Sequence, residues 1–178
     1  VYNDVFSHED MLPTLLAAAG EPDVKEKLLK GHRANNRDFK VHLDGYNLLP
    51  YFNGEVKEGP RKEFFYWTDD GNLANLRYCR WKMVFLEQRA HGFEVWQEPL
   101  VTLRVPKLID MLGDPFERAD HEAEMYNVWR FERAYLILPA VGYVSQHLAT
   151  YKDFPPRQEP GSFNLEKVLQ TLQSNPTQ

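Results

Sequence analysis

Carboxylates crowd one stretch of this sequence, "KLIDMLGDPFERADHE", where Asp110, Asp114, Glu117, Asp120 and Glu122 surround His121. Such a group is what oxygen coordination of a divalent cation, or an acid/base pair, would use. A second pair, Asp69 and Asp70, ends the aromatic run "FFYWTDDGN". A hard cation wants about six oxygens, and neither stretch fixes a full set, so a strand followed by a well-made polar turn accounts for both. Six histidines are present, at 8, 32, 42, 91, 121 and 147. None pairs at H-x-x-x-H spacing and none adjoins a cysteine, which argues against zinc. His32 and His42 flank the irregular stretch "GHRANNRDFK", where contact with a ligand or a purely local bond are the two readings. Cys79, in "RYCRWKM", has Arg77 and Arg80 to lower its pKa but no identifiable base, so a catalytic thiol is not supported. Arg77 and Lys82 alternate with apolar neighbours; they could meet a sulfate or phosphate group, or neutralise Asp69, Asp70 or Glu87. No phosphate-cradling glycine loop and no G-x-S-x-G is present. Read residue by residue, the chain offers no catalytic residue and no metal ligand set.

The elements that must position these residues are those of an ordinary globular chain. Its 178 residues are 43% hydrophobic, 26% charged and 13% aromatic, with a net charge of −5. That length fits one domain with a sizeable core. The charge is spread without a basic face, against nucleic-acid binding. A single cysteine excludes an internal disulfide and leaves the compartment open. The longest apolar run, "YLILPAVGYV", falls well short of the ~18 residues of a membrane span and is broken by Pro139 and Gly142. The chain begins at Val1 with no signal-peptide pattern, and "VYNDVFSHEDMLPTLL" reads like the middle of a longer protein; a fragment or processed product is expected.

"SHEDMLPTLLAAAG" predicts a helix, with Ser7 as N-cap, Glu9 and Asp10 in its first turn, Gly20 at its end and a bend at Pro13. A short helix follows from Pro22 to Lys30. "GHRANNRDFK" predicts a loop, Asp44–Gly45 a turn, and Leu48–Phe52 a single helical turn. The period then changes to that of strands in "EFFYWT", "LANLRY", "WKMVFLEQ" and "KLIDML", joined by short turns as an antiparallel meander. Helical periodicity returns from about Tyr126 to Tyr151, with Ala134, Leu138, Val141, Ser145 and Leu148 on one apolar stripe that Tyr135 and Ile137 widen. "NLEKVLQTLQ" predicts a last short helix capped by Asn164. The expected fold is α+β: a small four-stranded antiparallel sheet against a long C-terminal helix, with helices at the N-terminal end. Its parts are a helical lead-in over 1–60, the sheet over 61–122 and a helical tail over 123–178.

Four segments taken in order add a likeness. "SHEDMLPTLLAAAGEPD" carries Asp10, Pro13 and Thr14, and "KVHLDGYNLLPYFNGE" carries Asp44, Gly45 and Leu48. "RKEFFYWTDDGNLANLRYCRWKMVFLEQ" carries Arg77, Trp81 and Lys82, and "PKLIDMLGDPFERAD" carries Asp114, Pro115 and Glu117. As an ordered set these resemble the C-terminal part of bacterial arylsulfatases, in the sulfatase family of the alkaline phosphatase superfamily; the tail from Trp129 to Leu172 also resembles the close of one such subgroup, so the likeness covers essentially the whole chain. The resemblance implies a larger hydrolase of sulfuric esters, periplasmic or cytoplasmic, with a separate N-terminal catalytic domain. That domain would carry the family's formylglycine and Ca²⁺; neither is implied for this chain. "YWTDDGN" and "LRVP" imitate calcium-site segments of the family but stand in the wrong order. Cys79 stands outside the family's C-x-P-S-R nucleophile motif. The implied partners are that catalytic domain, the sulfate ester it holds, and other copies of the chain through apolar surface left uncovered. His32, His42, Trp67, Asp69 and Asp70 are the candidates for the substrate-pocket rim. Two other readings stay open: part of a phosphonate or phosphate monoesterase of the same superfamily, or a non-catalytic carbohydrate-binding or interaction module.

Overall fold

The computed structural model describes residues 1–165 and 169. A 3-10 turn, His8–Asp10, leads into α1 (Met11–Ala18), and α2 (Val24–Lys30) follows. The helix expected from Ser7 is therefore split. The split puts Pro13 in the first turn of α1, where N–H groups lack intrahelical partners, so the bend expected there is not needed.

"GHRANNRDFK" is not a loop but a hairpin of β1 (His32–Ala34) and β2 (Arg37–Phe39). Its two turn residues, Asn35 and Asn36, have φ of 47° and 60°, the paired left-handed conformation that short hairpins require. Both strands are fully exposed, so no hydrophobic alternation marks them in the sequence. The expected helical turn is present as α3 (Leu49–Phe52). Gly45 does not make the expected turn. It is buried in an irregular connection, where an added Cβ would stand 1.9 Å from the Glu9 carbonyl oxygen. Space, not a positive φ, requires glycine here.

The sheet is the expected meander: β3 (Glu63–Trp67), β4 (Leu73–Tyr78), β5 (Trp81–Glu87) and β6 (Val101–Asp110), antiparallel throughout and in that order. β6 is longer at its start than the strand expected from Lys107, and it takes in Pro106. An edge strand tolerates proline because one side of it needs no ladder bonds. A register shift between Val84 and Leu86 lets β5 pair with both halves of β6.

Phe65, Leu76, Met83 and Leu108 stand opposite one another across the four strands. Against this row pack Ala140 and neighbours from α5 (Tyr126–Glu132), a 3-10 turn at Ala134–Leu136, and α6 (Ile137–Ala149). Tyr126 ties the edge strand to the helices: its hydroxyl donates to the Leu108 carbonyl (3.0 Å) and accepts from the Leu108 N–H (3.1 Å). The architecture is thus α+β, with a helix over one face of a four-stranded antiparallel sheet.

The face α6 turns to the sheet is not the expected stripe. Leu136, Ile137, Ala140, Tyr143 and Val144 pack inward, while Ala134, Leu138, Val141, Ser145 and Leu148 are all exposed. Ile137, which widens the expected stripe, does turn inward; α6 carries apolar residues on two faces, and spacing alone does not decide which one meets the sheet. The helix expected over 164–173 lies largely outside the described residues.

Candidate functional site

In the acid-rich stretch every carboxylate of the turn has a protein partner. Asp110 pairs with Arg80. Asp114 accepts the N–H groups of Arg118 (3.0 Å) and Ala119 (2.9 Å), capping the short α4 (Ala119–Glu122). Both Glu117 oxygens take the Lys82 ammonium at 2.7 Å, Asp120 takes Lys107 at 2.5 Å, and Glu122 pairs with Arg118. These charges hold the turn to the outer face of the sheet. Lys82 thereby finds its counter-ion in Glu117, not in Asp69, Asp70 or Glu87. Among the described residues no group of three or more His, Cys, Asp or Glu comes together to hold a metal ion. No described helix is long and apolar enough to cross a membrane.

The resemblance residues of the first two segments meet at one buried joint. Asp10 has no exposed surface and Arg61 is 3% exposed. The Arg61 guanidinium bonds both Asp10 oxygens, Nε to Oδ2 at 2.7 Å and Nη2 to Oδ1 at 2.6 Å. The N–H groups of Ser7 (2.8 Å) and Tyr46 (2.7 Å) take the remaining positions. Burial alone would raise the Asp10 carboxyl, but these four donors outweigh it and hold the pKa below the ordinary carboxylate value. Thr14 donates to the Asp10 carbonyl (2.6 Å) and accepts from the Leu48 N–H (2.9 Å), with Leu48 itself buried. A fully bonded pair of this kind specifies how the lead-in meets the sheet.

Above this joint opens a cleft of about 480 Å³. Five segments build it: the 3-10 turn at His8–Asp10 (Glu9), α2 (Lys25), the connection after β2 (His42, Asp44, Tyr46), Arg61 with strand β3 (Glu63, Phe65, Trp67), and the end of α6 (Tyr143, His147) with the 3-10 turn Thr150–Lys152 that follows it (Tyr151). Strand alternation puts Glu63, Phe65 and Trp67 on one face, and helical spacing puts Tyr143 and His147 opposite them. One wall is aromatic. The His147 ring lies parallel to Phe65 at 4.1 Å, with Trp67 and Tyr151 at 5.8 and 5.4 Å from it. The other wall is charged. Asp44 Oδ1 stands 3.1 Å from His42 Nδ1 and 3.9 Å from His147 Nδ1, while His147 Nε2 is 3.3 Å from the Tyr151 hydroxyl.

Burial pushes the His147 imidazole below its ordinary pKa, with Asp44 opposing in part. Burial also raises the Glu9 carboxyl, although Arg61 sits 2.8 Å away. The Tyr46 hydroxyl is pushed up to about 12 by burial and by donating to Glu63 at 2.5 Å. The His147 imidazole is bonded to the Tyr151 hydroxyl, with the Asp44 carboxylate nearby, so carboxylate, imidazole and hydroxyl line one side of the cleft.

Of the rim residues expected from sequence, His42 and Trp67 line this cleft. His32 lies in the exposed hairpin, away from it. Asp69 and Asp70 are engaged by the tail: the Asp69 carbonyl accepts from Gly161 N–H (3.1 Å), and the Asp70 carboxylate takes both the N–H (2.7 Å) and the hydroxyl (2.5 Å) of Ser162. Neither Asp69 nor Asp70 lines the cleft. Cys79 occupies the tight β4–β5 turn at φ 49° and is exposed. Asp44, Glu63, His147 and Tyr151 carry the site but were not singled out for it. Only Asp44 had a signal, through its place in D-G-x-x-L. Compared with protein-family models and with curated proteins, the chain matches none.

Proposed function

We propose that this chain is the C-terminal subdomain of an arylsulfatase-like sulfuric ester hydrolase. It buttresses a separate catalytic domain and contributes its cleft to the rim of the substrate pocket. The observation carrying this reading is what the four resemblance segments do in the fold. Asp10 and Thr14 interlock with Gly45 and Leu48 at the buried joint, where Pro13 is buried too; Lys82 and Glu117 lock the turn to the sheet. Residues that recur as a set because they hold one architecture are expected at joints of this kind, and the set therefore speaks for the architecture of that family's C-terminal part. The uncovered apolar surface supports the same reading: Leu138 and Val141 on α6, and Leu12 and Leu15 on α1, are each at least half exposed, the kind of surface a partner domain covers.

The formylglycine and Ca²⁺ chemistry would belong to that partner domain, and no residue of this chain is assigned a catalytic step. The test has two arms. The isolated chain, given 4-nitrophenyl sulfate and Ca²⁺, should show no turnover. The complete source protein should be heavier by intact mass and should cleave the sulfate ester in preference to the corresponding phosphate or phosphonate. Turnover by the isolated chain sinks the proposal, and a preference for phosphorus esters moves it to the neighbouring enzyme class.

A further inference from the structure

The cleft above the Asp10–Arg61 joint is a built cavity, and its lining selects among ligand classes. At about 480 Å³ it falls within the range of small-molecule sites. Three carboxylates face it, Glu9, Asp44 and Glu63, against two cations, Lys25 and Arg61. Arg61 already neutralises buried Asp10, and Lys25 donates to the Gly45 carbonyl at 2.7 Å. A sulfate or phosphate entering here meets uncompensated negative charge. An apolar ligand would strip water from charged groups without replacing its hydrogen bonds.

Glu9, Asp44 and Glu63 together give the lining its acceptors. Donors stand among them in the His42 ring, bonded to Asp44 through Nδ1 only, and in the Gln146 amide. Behind this alternation of acceptors and donors runs the wall of Phe65, His147, Trp67 and Tyr151. Hydroxyl groups, which both donate and accept, suit the polar side. A ring with an apolar face suits the aromatic side.

We propose that this cleft binds an uncharged polyhydroxylated ring, one pyranose unit of a glycan, stacked on Trp67 and Tyr151 and held by hydroxyl donation to Asp44 and Glu63. The assignment deepens the sulfatase-subdomain reading, and rests on it, only in making that ring the non-reacting end of the ester; binding by the cleft itself stands on the lining alone.

The test titrates the full 178-residue chain with maltose, lactose and N,N′-diacetylchitobiose at millimolar concentration, followed by 15N–1H NMR. At least one sugar should shift the Trp67 indole and the backbone of residues 42–46. Trp67→Ala and Asp44→Asn should each weaken that binding about tenfold, the worth of a stacked ring or of one hydrogen bond to a charged group. Trp96→Ala, on an exposed 3-10 turn away from the cleft, should leave it unchanged. If Trp67→Ala does not fold, Asp44→Asn decides, because Asp44 is exposed and outside the core. No shift with any of the three sugars overturns the proposal. So does equal loss in the Trp96 variant, or binding of sodium sulfate or spermidine at the cleft in place of sugar. Such a failure leaves the sulfatase reading untouched, because that reading is decided by the complete enzyme's turnover. Sugar binding without any sulfatase activity in the source protein would instead retain the cleft and remove the enzyme.

Discussion

Two regions of this molecule are rich in carboxylates, and they behave as opposites. In the stretch from Asp110 to Glu122 each carboxylate is met by a cation or by backbone N–H groups, and together they fasten a turn. In the cleft, Glu9, Asp44 and Glu63 line one cavity beside an aromatic wall, and its two cations are already engaged by Asp10 and by the Gly45 carbonyl. The density of acidic residues in sequence points to the first region. Chemistry open to a ligand points to the second. Carboxylates mark a binding site through the valences they leave unused, and partners from distant segments decide that.

The contrast can be broken most forcefully at the floor of the cleft. Arg61→Ala leaves the Asp10 carboxylate buried and unpaired, and should cost about 3–5 kcal/mol in urea unfolding. A loss under about 1 kcal/mol would show that water reaches the joint. Gly45→Ala should cost about 1–3 kcal/mol, since the new methyl must displace the Glu9 backbone; the same unfolding measurement checks it. In the paired region, Lys82→Ala should cost about 1 kcal/mol, the worth of a partly exposed ion pair, and Glu117→Gln about as much.

The cleft should also show itself in pH dependence. His147 has its folded pKa below the ordinary value near 6.5, so the unfolded chain binds the proton more readily. Its contribution to stability is fully present above about pH 6.5 and is lost as the pH falls through the lower folded value. His147→Gln should flatten that part of the stability–pH curve, read by thermal unfolding across a pH series. Asp10 acts in the same direction at lower pH: its contribution is present above the ordinary aspartate range and disappears as acid reaches its depressed folded pKa. The smallest expected effect sharpens the comparison best. Asp44→Asn should change stability by no more than about 0.5 kcal/mol, because an exposed cleft carboxylate supports a ligand rather than the fold.

The first three strands were legible because they are aromatic and apolar runs closed by short turns, and local signals suffice for that; β6 is reached not by a short turn but by a longer connection, 88–100, that holds a 3-10 turn at Gly92–Trp96. The hairpin at Asn35–Asn36 was not legible, since its strands bury nothing and its turn lacks glycine. The inward face of α6 was misread because the helix carries apolar residues on two faces, and spacing alone does not say which one meets the sheet. Arg61 gave no warning at all. It sits in the breaker "GPRK", and its partner Asp10 is 51 residues away. The cleft shares that difficulty: Glu9, Asp44, Trp67 and His147 come from four separated segments, and only the packed chain makes them neighbours.

The clasp between Ser162 and Asp70 spans 92 positions of sequence, whereas the four strands of the sheet are joined to their neighbours in chain order. Closing so long a loop carries an entropic cost that adjacent strands do not share. The meander can therefore assemble first, and the segment from Asp153 to Gly161 can seat only afterwards, on a finished hairpin turn. Rich in proline and exposed except at Phe154, which packs on His42, that segment is where a protease should cut first, leaving the sheet folded behind it.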